Sequence, residues 1–209
     1  MNSELAFKDL KEVKQVLDSL GIRWFLTYGA VLGAVREKDF IEHDDDLDLT
    51  IVDPLTYRQR KEIGWLLQDL GFTPQEDMLW NIMGRWEKPS VGWDGTRENC
   101  TYNGTEETGI IVARKNVPVS IFFFKPEGDN YILIPLPYAI PLLETKKRFF
   151  EKGEWIKFKG EKFLAPSPVK EYLEYTYGKD WRTPKKGAHA TQYAKQHDLK
   201  EIAKKYWEL

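Results

Sequence analysis

The spacing of apolar residues in the first fifty positions predicts two helices and two strands. A helix over about 4–20 is predicted by apolar positions three or four residues apart, which are Leu10, Val13, Leu17 and Leu20. Gly21 follows as its C-terminal cap. The β-branched and aromatic segment at 22–28 predicts a strand, and "AVLGAVR" after Gly29 is long enough for a helix of two turns that ends at Arg36.

The next apolar run, at 47–52, alternates with a period of two and predicts a second strand. Its odd-numbered apolar residues share one face, and Asp46 and Asp48 point to the other. A third helix is expected after it, with Asp53 as N-cap, Pro54 at the first helical position and Gly71 at the end. Its buried stripe is predicted to contain Ile63, Leu66, Leu67 and Leu70.

From residue 72 onward the pattern favours strands, at "GIIVA", "VPVSIFFF" and "NYILI". The polar segment 87–109 is long enough to be a functional lid. "EWIKFKGEKFLAP" predicts a hairpin, "SPVKEYLEYTYG" a short helix, and 197–208 a last helix. We therefore expect one domain over 1–209 with an α+β (α/β) fold, in which a mixed β-sheet is flanked by helices and 166–209 forms a C-terminal helical extension.

Composition narrows the classes of function. The chain has 209 residues, 31 basic and 33 acidic side chains and a net charge of −2. Such a balance does not favour nucleic acid as a partner. With Cys100 alone, an intrachain disulfide and a cysteine-based zinc site are excluded. The N-terminal segment lacks the apolar core of a signal peptide, and no stretch is apolar enough to span a membrane, so we expect a cytoplasmic protein.

The acidic segment before the second strand is the strongest chemical signal. In an extended chain Asp44, Asp46 and Asp48 share one face, so three carboxylates point into one small volume. At about 5 Å and an effective dielectric constant of about 20, each pair repels by roughly 3 kcal/mol. A bound cation would offset this repulsion, and oxygen-only ligands favour Mg²⁺ or Mn²⁺, which also hold substrate phosphates.

The alternative is a solvated acidic loop without a ligand, but the preceding residues argue against it. Gly29 lets a ligand approach the backbone closely, and the helix start there exposes N–H groups that favour anions. A strand, a glycine, a short helix and then Asp-x-Asp-x-Asp on the next strand is the layout of a nucleotidyltransferase-like site.

Two motifs in this order resemble those of the LicD and fukutin-related family. "YGAVLGAVREKDFIEHDDDLDL", residues 28–49, is similar to the family pattern G-T-L-L-G-A-V-R, a short linker, F-I and W-D-D-D-I-D-I. "EYLEYTYGKDWRTP", residues 171–184, resembles the weaker tail pattern Y-L-x-x-x-Y-G-x-x-W-x-x-P.

The resemblance implies a nucleotidyltransferase fold used for phosphotransfer. A CDP-linked donor, typically CDP-choline or CDP-ribitol, would give its phospho-alcohol to a sugar or glycan hydroxyl and release CMP. The carboxylates that the resemblance assigns to the metal and to catalysis are Asp44, Asp46 and Asp48. The residues that the resemblance assigns to substrate binding are Tyr28, Gly29, Ala30, Gly33 and Arg36. Of these, Gly29 and Ala30 would form the phosphate-facing turn, and Arg36 would lie near the diphosphate.

Three positions depart from the family pattern. His43 stands where an aromatic residue usually precedes the aspartates, and Ala30 replaces the common Thr or Ser. Ser120, in "VSIF", stands where the family often has Asp. Either the three aspartates suffice, or a loop acid such as Asp94 or Glu98 substitutes, or activity is reduced or lost.

Aromatic and basic residues elsewhere could complete a substrate site. Trp93, in its polar loop, is the best candidate for a platform under a sugar, a base or a trimethylammonium group. Arg97 and Arg114 are candidates for binding a diphosphate, although solvated surface positions are the simpler interpretation.

Three functions remain open at this point. The first is the metal-dependent phosphotransferase. The second is a nucleotidyltransferase that transfers NMP from an NTP and releases pyrophosphate, and the third is an inactive nucleotide-binding protein, suggested by Ser120.

Overall fold

The fold is described here from a computed structural model, over residues 2–74, 109–114, 117–133 and 143–185. The helices are α1 (Ser3–Ser19), α2 (Tyr28–Arg36), α3 (Tyr57–Asp69) and α4 (Val169–Tyr177). The strands are β1 (Phe25–Leu26), β2 (Leu47–Ile51), β3 (Thr73–Pro74), β4 (Gly109–Arg114), β5 (Val117–Phe123), β6 (Lys125–Glu127), β7 (Asn130–Leu133), β8 (Leu143–Lys146), β9 (Glu154–Phe158) and β10 (Glu161–Ala165). The predicted helix at 197–208 and the predicted lid at 87–109, except for Gly109 itself, lie outside these residues.

A five-stranded mixed sheet positions the acidic segment. Its strand order is β1-β2-β5-β4-β3, and β2 pairs parallel with β5 while the other pairs are antiparallel. A three-stranded sheet, β6-β7-β8, and the β9–β10 hairpin complete the strands that the structure describes. The mixed sheet flanked by helices confirms the predicted α+β class.

Helix α1 packs its predicted apolar stripe into the core. Leu10, Val13 and Leu17 are fully buried, and Asn2 caps the helix by accepting from the Leu5 N–H at 3.1 Å. Gly21 follows the helix with a φ of +65°, which a glycine adopts without steric cost. The predicted role of Gly21 is therefore confirmed.

The predicted start of α3 is wrong by three residues. Asp53 does not cap the helix, because its carboxylate pairs with the Arg23 guanidinium at 2.7 and 2.9 Å. Thr56 is the N-cap instead, and it forms a capping box with Gln59. Leu70, predicted to be in the buried stripe, is 40% exposed at the C-cap of the helix.

A largely buried group of ion pairs connects α1 to strand β4 of the five-stranded sheet. Arg114, on β4, pairs with Asp9 and Glu12 of α1, and its guanidinium lies 4.6 Å from the centre of the Phe72 ring. Asp9 is fully buried, and burial raises the pKa of its carboxyl despite the arginine. Arg114 therefore has a structural role, and the expectation that it binds a diphosphate receives no support from its contacts.

Replacing Arg114 with Met is expected to destabilise the fold by about 3 kcal/mol or more, since it leaves the buried Asp9 carboxylate unpaired while keeping an apolar stem over Phe72. Arg148→Met is the matched control, because Arg148 and its partner Glu171 are both more than half exposed. The control is expected to cost about 1 kcal/mol or less. Urea denaturation measures both, and equal small losses would contradict the structural role of Arg114.

Candidate functional site

The acidic segment lies where β2 begins, next to the first turn of α2. One carboxylate oxygen each from Asp44, Asp45 and Asp46 lies within 4.8 Å of the others, so these three side chains form the tightest acidic group in the described part of the chain. Asp44 and Asp46 are half-buried and Asp45 is exposed. We call these three residues the acidic cluster.

The strand periodicity did not identify Asp45 as a member of this cluster. That argument treated residues 44–48 as one extended segment, which would turn Asp45 away from its neighbours. The structure begins β2 only at Leu47, so strict alternation does not apply to the three preceding residues. The signal that could have found Asp45 was the uninterrupted Asp-Asp-Asp run itself.

Asp48 lies on β2 and is held by the helix that precedes the segment. Its carboxylate accepts a hydrogen bond from the Gly29 N–H, near the N-terminus of α2. The positive end of the helix dipole favours an anion at this position. The charges of Asp46 and Asp44 also act on Asp48, so all four carboxylates belong to one electrostatic unit. Its role as a metal ligand stays a prediction.

Gly29 leaves room for the Asp44 carboxylate, which occupies the space where a side chain would begin. A Cβ atom built on Gly29 would lie 2.1 Å from Asp44 Oδ2. Any other residue at this position would therefore displace the Asp44 carboxylate. The contact places the acidic cluster directly against the first turn of α2, and the phosphate-facing role of this turn stays a prediction.

The acidic cluster carries a large electrostatic cost. Burial, followed by the charges of Asp46 and Asp45, raises the pKa of Asp44 to about 7. Burial, together with Asp46 and Asp44, raises the pKa of Asp48 well above its ordinary value, and the Gly29 N–H opposes this only in part. Without a cation the fold therefore favours protons on these carboxyl groups near neutral pH.

Three tyrosines lie near Asp48, of which Tyr172 and Tyr177 are buried and Tyr28 is half-buried. Tyr28 begins α2 with a φ of +45°, a left-handed conformation that is strained for a residue with a side chain. The Tyr172 hydroxyl of α4 accepts from the Tyr28 N–H at 3.5 Å. Burial raises the pKa of the Tyr28, Tyr172 and Tyr177 hydroxyls, and the negative charge of Asp48 adds to it. These phenols therefore stay protonated at neutral pH.

Ser120 lies beside Asp48 in the sheet. The two residues are register partners in the parallel pair of β2 and β5, and Ser120 is only 3% exposed. Residues paired in this way point to the same face of a sheet. The position at which the resemblance leads us to expect another carboxylate is therefore part of the site, and in this chain it carries a hydroxyl.

The other substrate positions of the first motif have structural contacts. Arg36 donates to the Glu37 carboxylate at 2.6 Å and to the Trp181 carbonyl at 3.0 Å, which connects α2 to the tail motif. Ala30 is buried, and a Cβ atom on Gly33 would lie 2.6 Å from the Asp39 carbonyl oxygen. Their roles in substrate binding stay predictions. Trp93 and Arg97 lie outside the described residues.

The comparison with known families includes the whole of the first motif, residues 28–49. Residues 21–168 match the family model described as LicD/FKTN/FKRP, nucleotidyltransferase domain. The chain belongs to this family. The match includes all of the acidic segment and β5, so the resemblance inferred from the motifs is confirmed for this LicD-family domain, together with the nucleotidyltransferase-like fold.

Two curated relatives are transferases by name. The domain is 27% identical to ribitol-5-phosphate transferase FKTN of Macaca fascicularis and 26% identical to ribitol-5-phosphate transferase FKTN of Homo sapiens, in each case over 188 residues and 86% of this chain. The chain spans about a third of the length of these relatives, 34% in each case. Family and relatives agree with the expectation of an enzyme of the transferase class.

Two solved structures show a more distant likeness. The crystal structure of ANT(2")-Ia in complex with adenylyl-2"-tobramycin has a TM-score of 0.39 and 12% identity, over 76% of this chain and 67% of that chain. The solution structure of antibiotic-resistance factor ANT(2'')-Ia has a TM-score of 0.43 and 13% identity, over 89% of this chain and 79% of that chain.

Among the helices described for the LicD-family domain, none has the length and hydrophobicity needed to cross a bilayer.

Gly29→Ala is expected to reduce stability in the wild-type background, because the new methyl group collides with the Asp44 carboxylate. In an Asp44→Ala background the same substitution is expected to cost less, since the colliding oxygen is gone. Denaturation of the four proteins gives the coupling between the two positions. Additive effects would show that Asp44 does not rest against Gly29.

In the metal-free protein, stability is expected to fall as pH rises from about 4 to about 7. The folded-state pKa of Asp44 is raised from 3.8 to about 7, so the folded state binds more protons than the unfolded state in this range. Thermal denaturation in EDTA at several pH values measures the slope. Asp44→Asn is expected to flatten it, and an unchanged slope in that variant would contradict the raised pKa.

Proposed function

We propose that this domain is a metal-dependent phosphotransferase that moves a phospho-alcohol from a CDP-linked donor to a sugar or glycan hydroxyl. The observation that carries the proposal is the acidic cluster of Asp44, Asp45 and Asp46, packed against the N-terminus of α2 in a LicD-family domain. Clustered carboxylates provide for a cation, and the positive end of the helix dipole beside them favours a phosphate.

The residues present fit a hard divalent cation. All ligands offered are carboxylate oxygens, with Asp48 close behind the acidic cluster, and the raised pKa of Asp44 shows that their charges are poorly compensated. Mg²⁺ or Mn²⁺ suits such a set, with Asp44 and Asp46 as ligands and either Asp45 or Asp48 as a third. When bound, the ion would neutralise charge on the donor diphosphate.

The protein's own groups would position the substrates. The positive end of the α2 dipole favours an anion at the first turn, and the phenols of Tyr28, Tyr172 and Tyr177 keep their protons. Phosphoryl transfer depends mainly on positioning and on charge neutralisation. The proton of the acceptor hydroxyl would pass to a carboxylate outside the ligand set or to a free oxygen of Asp44.

The names of the relatives favour one class of donor. Both curated relatives are named ribitol-5-phosphate transferase, which supports a phosphopolyol over phosphocholine as the transferred group. The glycan acceptor follows from the family resemblance. We propose a cytoplasmic location on the basis of the sequence composition alone.

A nucleotidyltransferase that moves NMP from an NTP is the second candidate. It is favoured by the family description itself, which names a nucleotidyltransferase domain, and it uses the same carboxylate chemistry. Ser120, buried beside Asp48, favours a third candidate, an inactive nucleotide-binding domain. The products distinguish all three, because the phosphotransferase releases CMP, the nucleotidyltransferase releases pyrophosphate and the inactive domain releases neither.

The double variant Asp46→Asn, Asp48→Asn is expected to lower Mg²⁺-dependent CMP release from CDP-ribitol by at least about a hundredfold, because it removes two charges from the site. CMP is measured by chromatography, with CDP-choline as a second donor and CTP as the test for pyrophosphate. Asp129→Asn, the same change at an exposed turn, is the control and should keep full activity. Full turnover in the double variant would refute the proposal.

A further inference from the structure

The outer face of the β9–β10 hairpin carries an exposed indole beside two lysines. Trp155 is 65% exposed, the most exposed of the large hydrophobic side chains in the described residues. It pairs with Leu164 across the hairpin, and Lys157 pairs with Lys162 one step further along the same face. Both lysines are exposed. We call Trp155, Lys157 and Lys162 the hairpin platform.

The opposite face of the hairpin fixes this platform to the core. Phe158 and Phe163 are almost completely buried, and they pack edge-to-face on Phe40 and Trp24, with ring centres 5.0 and 6.2 Å apart. At the turn, Lys159 pairs with Asp39 at 2.8 Å. The outer side chains therefore project from a strand pair with little freedom to move, and such preorganisation favours binding.

The positions of the two lysines are unfavourable for the stability of the hairpin. Like charges directly opposite each other destabilise a hairpin. Within the described part of the chain neither lysine has an ion-pair partner, and the nearby Glu154 carboxylate accepts from the Val169 N–H at 2.9 Å. Two uncompensated ammonium groups beside an indole are complementary to a ligand that has both an anionic group and an apolar face.

We propose that the hairpin platform binds an anionic glycan, with a sugar ring on Trp155 and a phosphate group between Lys157 and Lys162. The C–H groups of a sugar carry partial positive charge and pack on the electron-rich face of an indole. The identification of the ligand as a glycan rests on the proposed function, in which a glycan hydroxyl is the acceptor. The platform would hold a charged part of that acceptor.

A membrane surface fits these residues less well. Stable membrane binding needs several apolar anchors or a cluster of basic residues, since each lysine near an anionic bilayer contributes only about 1 kcal/mol. The platform offers one indole and two lysines, and the chain has a net charge of −2. One sugar and one phosphate match the size and the charge of the platform better.

Affinity electrophoresis in gels containing phosphorylated dextran tests the proposal, with neutral dextran as the reference polymer. The wild-type chain is expected to be retarded by phosphorylated dextran more than by neutral dextran, and less so as salt rises. Trp155→Ala and Lys157→Glu are each expected to weaken this retardation by at least about fivefold. Neither donor nor metal is added, so failure here leaves the proposed transfer reaction standing.

Lys157→Glu also separates binding from stability. It places a carboxylate opposite Lys162, so the melting temperature should stay the same or rise while binding is lost. Lys170→Glu, at an exposed position on α4, is the matched charge control and should keep wild-type retardation. Equal loss in this control, or binding to vesicles of equimolar phosphatidylglycerol and phosphatidylcholine without binding to phosphorylated dextran, would overturn the proposal.

Discussion

The mutual repulsion of four neighbouring carboxylates is the constraint on which the rest of this site depends. Asp44 rests on Gly29, Asp48 accepts from the Gly29 N–H, and the raised pKa values of both show that these contacts do not fully compensate the charge. A fold that keeps such a group together at the end of a buried strand gains little stability from it. Under the proposed function, a bound cation would supply the missing compensation.

The tail motif, residues 171–184, contacts helix α2, which lies next to these carboxylates. Tyr172 holds the strained start of α2, and the Trp181 carbonyl accepts from Arg36 at the other end of that helix. The two motifs that carry the family resemblance are therefore in contact in the folded chain, although they are far apart in sequence. The two contacts join the tail motif to both ends of α2, the helix that borders the carboxylates.

The sequence predicted those parts of the fold that depend on local pattern. Helices α1 and α2, strand β2 and the β9–β10 hairpin follow from periodicity, turn glycines and β-branched residues. The start of α3 was missed because Arg23, distant in sequence, binds the residue expected to cap it. Asp45 was missed for a similar reason, since only the three-dimensional start of β2 shows that residues 44–46 need not alternate. The role of Arg114 could not be read from sequence, because its partner Asp9 lies on another element.

The pairing of β2 with β5 also has a consequence for how the chain folds during synthesis. Asp48 and Ser120 become neighbours only after β5 has been made, so one edge of β2 lacks its partner strand for much of translation. Unpaired apolar edges are sites of aggregation, and charged residues protect against it. The aspartates at the start of β2 place negative charge next to this edge.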